Sequence, residues 1–356
     1  MPTPRWMAPA AMVLTLMATA AVAASNAPQI GKPREAPPGP STMPPLPPAQ
    51  IDNNLNIGGN DISAKEVETR MTVDVHVNGT GPYRFLVDSG ADTSVVGVRI
   101  AQALQLPLGT PALLNAMTAR NIVDRVKVNE LAFGSSSIRN LQVPALKEQD
   151  LGGEGMIGID ALVNQRLMMD FEKNVVKVED AGVPWRPSRD EIVIIAKRLH
   201  GQLILTEVKA AGLSLDAVID TGSEITIGNL KLRDKLIRHN RNKFFTVPTT
   251  GVTGKTMDLQ LAIIDELKMG PVTLRDVPMA FADLPPFKVF GIADQPALLL
   301  GTDILETFRR VSLDFRSRKV RFQLRRCGTD PLILNSSPTA TLTRLSSDSS
   351  GVACQR

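Results

Sequence analysis

The sequence predicts two similar lobes in one chain, each built on strands with a few short helices. One observation is a triplet that recurs in matching surroundings: Asp88-Ser89-Gly90 follows Phe85-Leu86-Val87, and Asp220-Thr221-Gly222 follows Ala217-Val218-Ile219. Another is that further landmarks follow each triplet in one order. After the first come Glu130-Leu131-Ala132-Phe133-Gly134, Met156-Ile157-Gly158-Ile159-Asp160-Ala161-Leu162 and Met169-Asp170-Phe171. After the second come Glu266-Leu267-Lys268-Met269-Gly270, Leu299-Leu300-Gly301-Thr302-Asp303-Ile304-Leu305 and Leu313-Asp314-Phe315. Asp88 precedes Gly158 by 70 positions and Asp220 precedes Gly301 by 81, a difference that loop insertions produce in a duplicated chain. The last is the alternation of Val73, Val75 and Val77 with Thr72, Asp74 and His76, the pattern of a half-buried strand.

Along the chain, residues 1–23 read as an export signal: Arg5 gives a positive start, Met7 to Ala20 is apolar, and Ala21-Val22-Ala23 supplies small residues before a cut. An uncleaved membrane anchor is the competing reading, although the stretch is short for a spanning helix of about 20 residues. Residues 24–64 form a proline-rich tether, including Pro37-Pro38, Pro44-Pro45 and Pro47-Pro48, and are expected to be extended and poorly packed. The tether serves as a spacer or as a pro-segment that covers a cleft. The first lobe spans residues 65–183. Asn78-Gly79-Thr80-Gly81 marks a hairpin, and the next strand delivers Asp88. Short helices are expected at 98–106 and 160–167, and Asp160 and Asp303 read as helix-start residues stabilised by free backbone N–H groups. Gly152-Gly153-Glu154-Gly155 lacks a following Gly-Lys-Ser/Thr and reads as a flexible surface connection, not a phosphate loop. Pro184-Trp185-Arg186-Pro187 begins an interlobe connector, and connector plus second lobe span residues 184–326. Residues 327–356 are serine-rich with few apolar residues and read as a flexible tail. Its Cys327 and Cys354 pair in an oxidising compartment or stand as two thiols.

The two triplets carry the chemistry. Each acid ends an apolar run and is followed by a hydroxyl residue and a glycine that permits a sharp turn. Where two such loops face each other, the acids share one proton and polarise a water between them, an arrangement that hydrolyses peptide bonds. Other chemistries lack their parts. Histidine is limited to His76, His200 and His239 without metal-ligand spacing, and His76 is expected to face solvent. No Gly-x-Ser-x-Gly elbow is present, and the two cysteines have no nearby histidines for zinc. No cofactor and no metal are therefore expected. The chain of 356 residues is 43% hydrophobic, enough for two lobes with cores. Its pI near 9.1 reflects Lys and Arg scattered among 36 acids, not a basic run, so no nucleic-acid partner is expected.

With both triplets preceded by apolar pairs and followed by Ala91 or Ser223, and with an apolar-apolar-Gly at Gly158 and again at Gly301, the sequence resembles the retropepsin-like aspartic proteases. The resemblance covers roughly residues 65 to 326. It implies an all-β, bilobal aspartic protease fold of two retropepsin-like β-barrel lobes with a few short helices, a pepsin-like pseudodimer that supplies both acids from one monomer. It implies Asp88 and Asp220 as the catalytic pair, Ser89 and Thr221 as hydroxyls bridging the loops, and Gly90 and Gly222 as turn glycines. Gly158 and Gly301 become the places where a second strand packs behind each loop. Thr250-Gly251-Val252-Thr253-Gly254-Lys255 offers a flap through Gly251 and Gly254, while Asn115-Ala116-Met117-Thr118-Ala119-Arg120 has no glycine and leaves the first flap undefined. The one tyrosine, Tyr83, precedes the first triplet, so a flap tyrosine of the pepsin kind is missing.

The expected activity is that of an exported aspartic endopeptidase, periplasmic or secreted, acting on peptide or unfolded protein, with a membrane partner only if the signal stays uncleaved. Two alternatives remain: a catalytically silent binding module on the same fold, and a chain whose halves pair with those of a second copy.

Overall fold

The structure, a computed structural model, describes residues 27–37, 50–51, 60–67, 70–134, 136–162, 165–180, 191–199, 201–239 and 244–325. Arg70–Val77 pairs antiparallel with Thr80–Val87, and Met71, Val73, Val75 and Val77 are buried while His76 is exposed. The hairpin turns on Asn78 and Gly79, both at positive φ (50° and 78°), the backbone that lets a two-residue turn follow the twist of its strands. Thr72, expected on the polar face, is buried. It lies opposite Leu86, and that face is covered by Val95, Leu146, Leu151 and Met156.

Each lobe then repeats one crossing of strands behind its triplet. In the first, Gly155–Ile157 runs parallel to Phe85–Val87, and Val95–Gly97 joins it antiparallel while also pairing parallel with Ala145–Leu146. In the second, Ala297–Leu300 runs parallel to Asp216–Ile219, and Ile227–Gly228 pairs with it and with Ala280–Phe281 in the same senses. Parallel strands buried on both faces need continuous apolar runs, which Phe85-Leu86-Val87 and Ala297-Leu298-Leu299-Leu300 supply, all of them buried.

The lobes are fused by a shared sheet. Gln165–Asp170 pairs antiparallel with Phe308–Asp314, flanked by Val175–Asp180 and Asn60–Val67 on one side and by Lys319–Leu324 and Glu191–Ile195 on the other. Met168 faces Ser312 at the centre of an approximate two-fold relation. About that centre two ion pairs are exchanged: Arg166 meets Asp314 at 3.3 Å, and Arg310 meets Asp170. Buried apolar residues run unbroken from the first lobe through this sheet into the second, including Leu167, Met169, Val311, Leu313 and Phe322.

Several expectations shift. The helix expected at 98–106 is Val98–Ala103, closed by Gln105 at φ 49°. The one expected at 160–167 is only Ile159–Leu162, because Gln165–Asp170 is drawn into the interlobe sheet. Leu230–His239 is a further helix, of ten residues, that buries Leu232 and Leu236, four positions apart on one face. Gly152 to Gly155 is not a flexible surface connection: the Glu154 carboxylate accepts the Arg84 N–H at 2.7 Å, and a Cβ on Gly155 would collide with the Phe85 ring. The strand Asn60–Val67 begins inside the segment read as tether, and Arg34–Glu35 pairs with Asn121–Ile122. The signal, the connector at 184–187 and Cys327 and Cys354 lie outside the described residues. Among the described residues no helix is long and apolar enough to cross a membrane.

Candidate active site

Asp88 and Asp220 leave the ends of their strands and meet between the lobes, each carboxylate lying against the glycine of the other's loop. Each carboxylate is held by its own loop. Asp88 Oδ1 accepts N–H groups from Gly90 at 2.7 Å and Ala91 at 3.0 Å; Asp220 Oδ1 accepts those of Gly222 and Ser223, both at 3.1 Å. Each aspartate N–H is tied back to the parallel strand behind it, Asp88 to Ile157 O and Asp220 to Leu300 O. The triplet glycines serve differently from the expected sharp turn, since neither takes a left-handed φ. A Cβ on Gly90 would stand 2.6 Å from Asp220 Oδ1, and one on Gly222 would overlap the Asp88 carboxylate. Glycine is required because the opposite acid occupies that space.

The hydroxyls of Ser89 and Thr221 cross between the loops. Ser89 Oγ donates to Ile219 O at 2.9 Å and accepts the Thr221 N–H at 3.2 Å; Thr221 Oγ1 donates to Val87 O at 2.8 Å and accepts the Ser89 N–H at 2.9 Å. All four bonds are buried, so breaking any leaves a polar group without water.

Gly158 and Gly301 sit where the next strand presses on the loop: a Cβ at either would lie 2.6 Å from a backbone carbonyl carbon, that of Thr93 or of Ile225. Behind them stands a relay that sequence reading missed. The Gly158 N–H donates to Ser94 Oγ, which donates to Asp160 at 2.7 Å; the Gly301 N–H donates to Thr226 Oγ1, which donates to Asp303 at 2.7 Å. Asp160 and Asp303 do lie in the first turns of their helices, but their carboxylates reach back to fix the loop carrying the catalytic candidate. The signal was present as a hydroxyl six residues after each acid, Ser94 and Thr226. Burial raises the carboxyl of Asp160 and pushes that of Asp303 up to about 6, against the N–H and O–H groups they accept.

Two hairpins roof the site. Ala112–Asn115 with Arg120–Val123 forms flap 1, without a glycine at its tip; Phe245–Thr250 with the start of Thr256–Met269 forms flap 2, turning through Gly251 and Gly254, the latter at φ 74°. The tips meet, with Gly251 packed against the Thr118 side chain. Beneath them is a cleft of about 680 Å³ that reaches both aspartates and is lined by Leu114, Leu146, Met156, Ile225, Val289 and Phe290 among others. Its ends differ. Arg70 spans the lobes to Glu224 at 2.7 Å and also donates to Leu151 O; at the related place Gln202 Nε2 donates to Asp92.

Burial raises both carboxyls of the pair. For Asp220 the adjacent Asp88 charge adds to burial and pushes it up to about 8; for Asp88 the N–H groups of Gly90 and Ala91 and the Arg70 guanidinium work against the rise. Among the described residues no group of His, Cys, Asp and Glu is placed to hold a metal ion.

A family described as "gag-polyprotein putative aspartyl protease" matches residues 73–164, and one described as "Aspartyl protease" matches residues 206–304. A search of curated proteins gives no significant match. The two matched segments carry the two active-site loops, so the chain holds two aspartyl protease family domains in one polypeptide, consistent with two retropepsin-like repeats.

Proposed function

We propose that this protein is an exported aspartic endopeptidase that hydrolyses peptide bonds with water activated between Asp88 and Asp220. The observation that carries the reading is the reciprocal fit of the two loops: each triplet glycine yields its side-chain space to the other loop's carboxylate, under a closed pair of flaps. A binding module has no physical need for two buried acids forced to share a proton.

In the resting site Asp220 holds the proton and Asp88 carries the charge, because the Arg70 guanidinium favours the ionised Asp88 and Asp88 in turn repels a second charge on Asp220. Water bound between them gives its proton to Asp88 as it attacks the substrate carbonyl. Asp220 donates its proton to the developing oxyanion, so no covalent enzyme intermediate forms. An extended peptide lies between dyad and flaps, its backbone pairing with flap edges and its apolar side chains entering the cleft. The apolar lining and the exclusion of water by the flaps strengthen every charge interaction within.

The test is cleavage of a mixed unfolded-protein substrate by residues 24–356 between pH 3 and 9, with Asp88→Asn and Asp220→Asn alongside. Each substitution is expected to lower kcat by roughly 10²-fold or more. Activity of the parent is expected to fall as pH passes about 8, where Asp220 loses its proton. Cleavage that survives either substitution would remove the dyad from the mechanism.

A further inference from the structure

Flap 1 is not a two-stranded ribbon. Arg34–Glu35 lies along its outer edge, pairing antiparallel through Arg34 with Ile122 and Glu35 with Asn121. The Ala36 N–H donates to Arg120 O at 3.1 Å, and the Arg120 guanidinium donates to Pro37 O at 3.2 Å. Just before this strand, the Gly31 N–H donates to Asp124 Oδ2 at 2.8 Å, Arg34 stands 3.5 Å from Asp124 Oδ1, and Ile30 packs on the first lobe's core. Residues 30–37 are therefore anchored at both ends of the flap's returning strand. Flap 2 has no such neighbour among the described residues. Its corresponding segment, Thr256–Leu259, pairs only with Phe245–Thr250, and the pairing on its other side begins at Gln260.

A lone hairpin is marginally stable, and a third strand stiffens it. The flap tips close over the dyad and touch at Gly251 and Thr118, so a peptide reaches the floor of the cleft only when a flap lifts. We propose that residues 30–37 are a strap that holds flap 1 down, leaving flap 2 as the hinged half of the roof. Access to the cleft is then set by whether the strap is seated. The described segment nearest the amino terminus thereby gains a direct mechanical connection to the site. Restraint of the flap rests on the contacts alone; the consequence for turnover rests on the proteolytic reading above.

Hydrogen–deuterium exchange of residues 24–356 and of its Ala36→Pro variant tests this, because proline removes the N–H that bonds Arg120 O without touching the dyad. A chain beginning at residue 38 provides a second variant should the first distort locally. Amides of 112–123 are expected to exchange roughly tenfold faster in both, a change that loss of one ordinary backbone hydrogen bond can account for. Those of 245–261 are expected to stay unchanged, and kcat/KM toward a protein substrate to rise severalfold. Unchanged exchange in flap 1, or equal acceleration in both flaps, overturns the strap. A freed flap 1 with unchanged kcat/KM overturns its control of access. No cleavage by the parent counts against the proteolytic reading, while the exchange rates still decide the strap.

Discussion

At the turn before each active-site strand the first lobe places Asn78 and Gly79 where the second places Ala211 and Gly212, all four at positive φ. Asn78 suits that backbone, and its Oδ1 also accepts the N–H groups of Asn129 and Glu130 at 2.9 and 3.0 Å; Ala211 can do neither. Both residues nonetheless donate their own N–H to the matching glutamate carbonyl, of Glu130 or Glu266. The same division recurs elsewhere. Main-chain bonds repeat from lobe to lobe around Asp88 and Asp220, whereas Arg70 of the first lobe is replaced by Gln202 in the second, and Arg166, almost fully buried, corresponds to Arg310, which is 31% exposed. A duplicated fold keeps its backbone pattern because strand pairing depends little on side chains. Its halves are free to diverge in charge, and a charge difference beside a shared proton makes two equivalent acids unequal.

The largest test of this comparison is Arg166→Met against Arg310→Met. The first leaves buried Asp314 without its nearest cation and is expected to destabilise by about 3–5 kcal/mol. The second removes a partly exposed partner from buried Asp170, which keeps the N–H groups of Glu172 and Lys173, and is expected to cost less, about 2 kcal/mol. Equal losses in denaturant titrations would mean that the interlobe exchange is as symmetric in energy as in position.

Next comes pH. Asp220, raised from 3.8 to about 8, holds a proton in the folded state that the unfolded chain releases, so its contribution is full below about 4 and is lost as pH climbs to about 8. Asp303, raised to about 6, acts with the same sign over a narrower window. Tm should therefore fall between pH 4 and 8. Asp220→Asn should flatten that fall, raising stability at pH 8 by on the order of 2 kcal/mol. A Tm that rises over this range would contradict the burial of both acids.

Gly158→Ala and Gly301→Ala meet the same obstacle, a carbonyl carbon at 2.6 Å, and should each destabilise by about 1–3 kcal/mol and lower kcat together. A large difference between them in parallel melts and turnover would show that one lobe's loop yields where the other does not. The smallest effect is expected from Ala211→Asn. Importing the first lobe's turn residue should stabilise the second by about 0.5 kcal/mol, readable as a small rise in Tm.

Much of the site was legible because catalysis by paired acids needs a fixed local string: an apolar strand, an acid, a hydroxyl residue and a glycine, twice. Flap 1 was not, since its tip Ala116-Met117-Thr118-Ala119 carries no turn glycine and is shaped by pairing of the strands either side. The Ser94–Asp160 and Thr226–Asp303 links were hidden because their partners are 66 and 77 residues apart. The helix misjudged at 160–167 has helical composition, but pairing with the second lobe claims its end.

What the sequence by itself determined is the duplication, the two acids with their hydroxyl and glycine neighbours, and the glycines behind them, because each depends on residue type at short range. Only the tertiary structure decided why the triplet glycines must lack a side chain, that Arg70 acts on the Asp88 carboxyl, and that Arg34–Glu35 docks on a flap. Those are consequences of distance across the lobe boundary, and distance between remote residues is set by how strands pair, not by the order in which they are written.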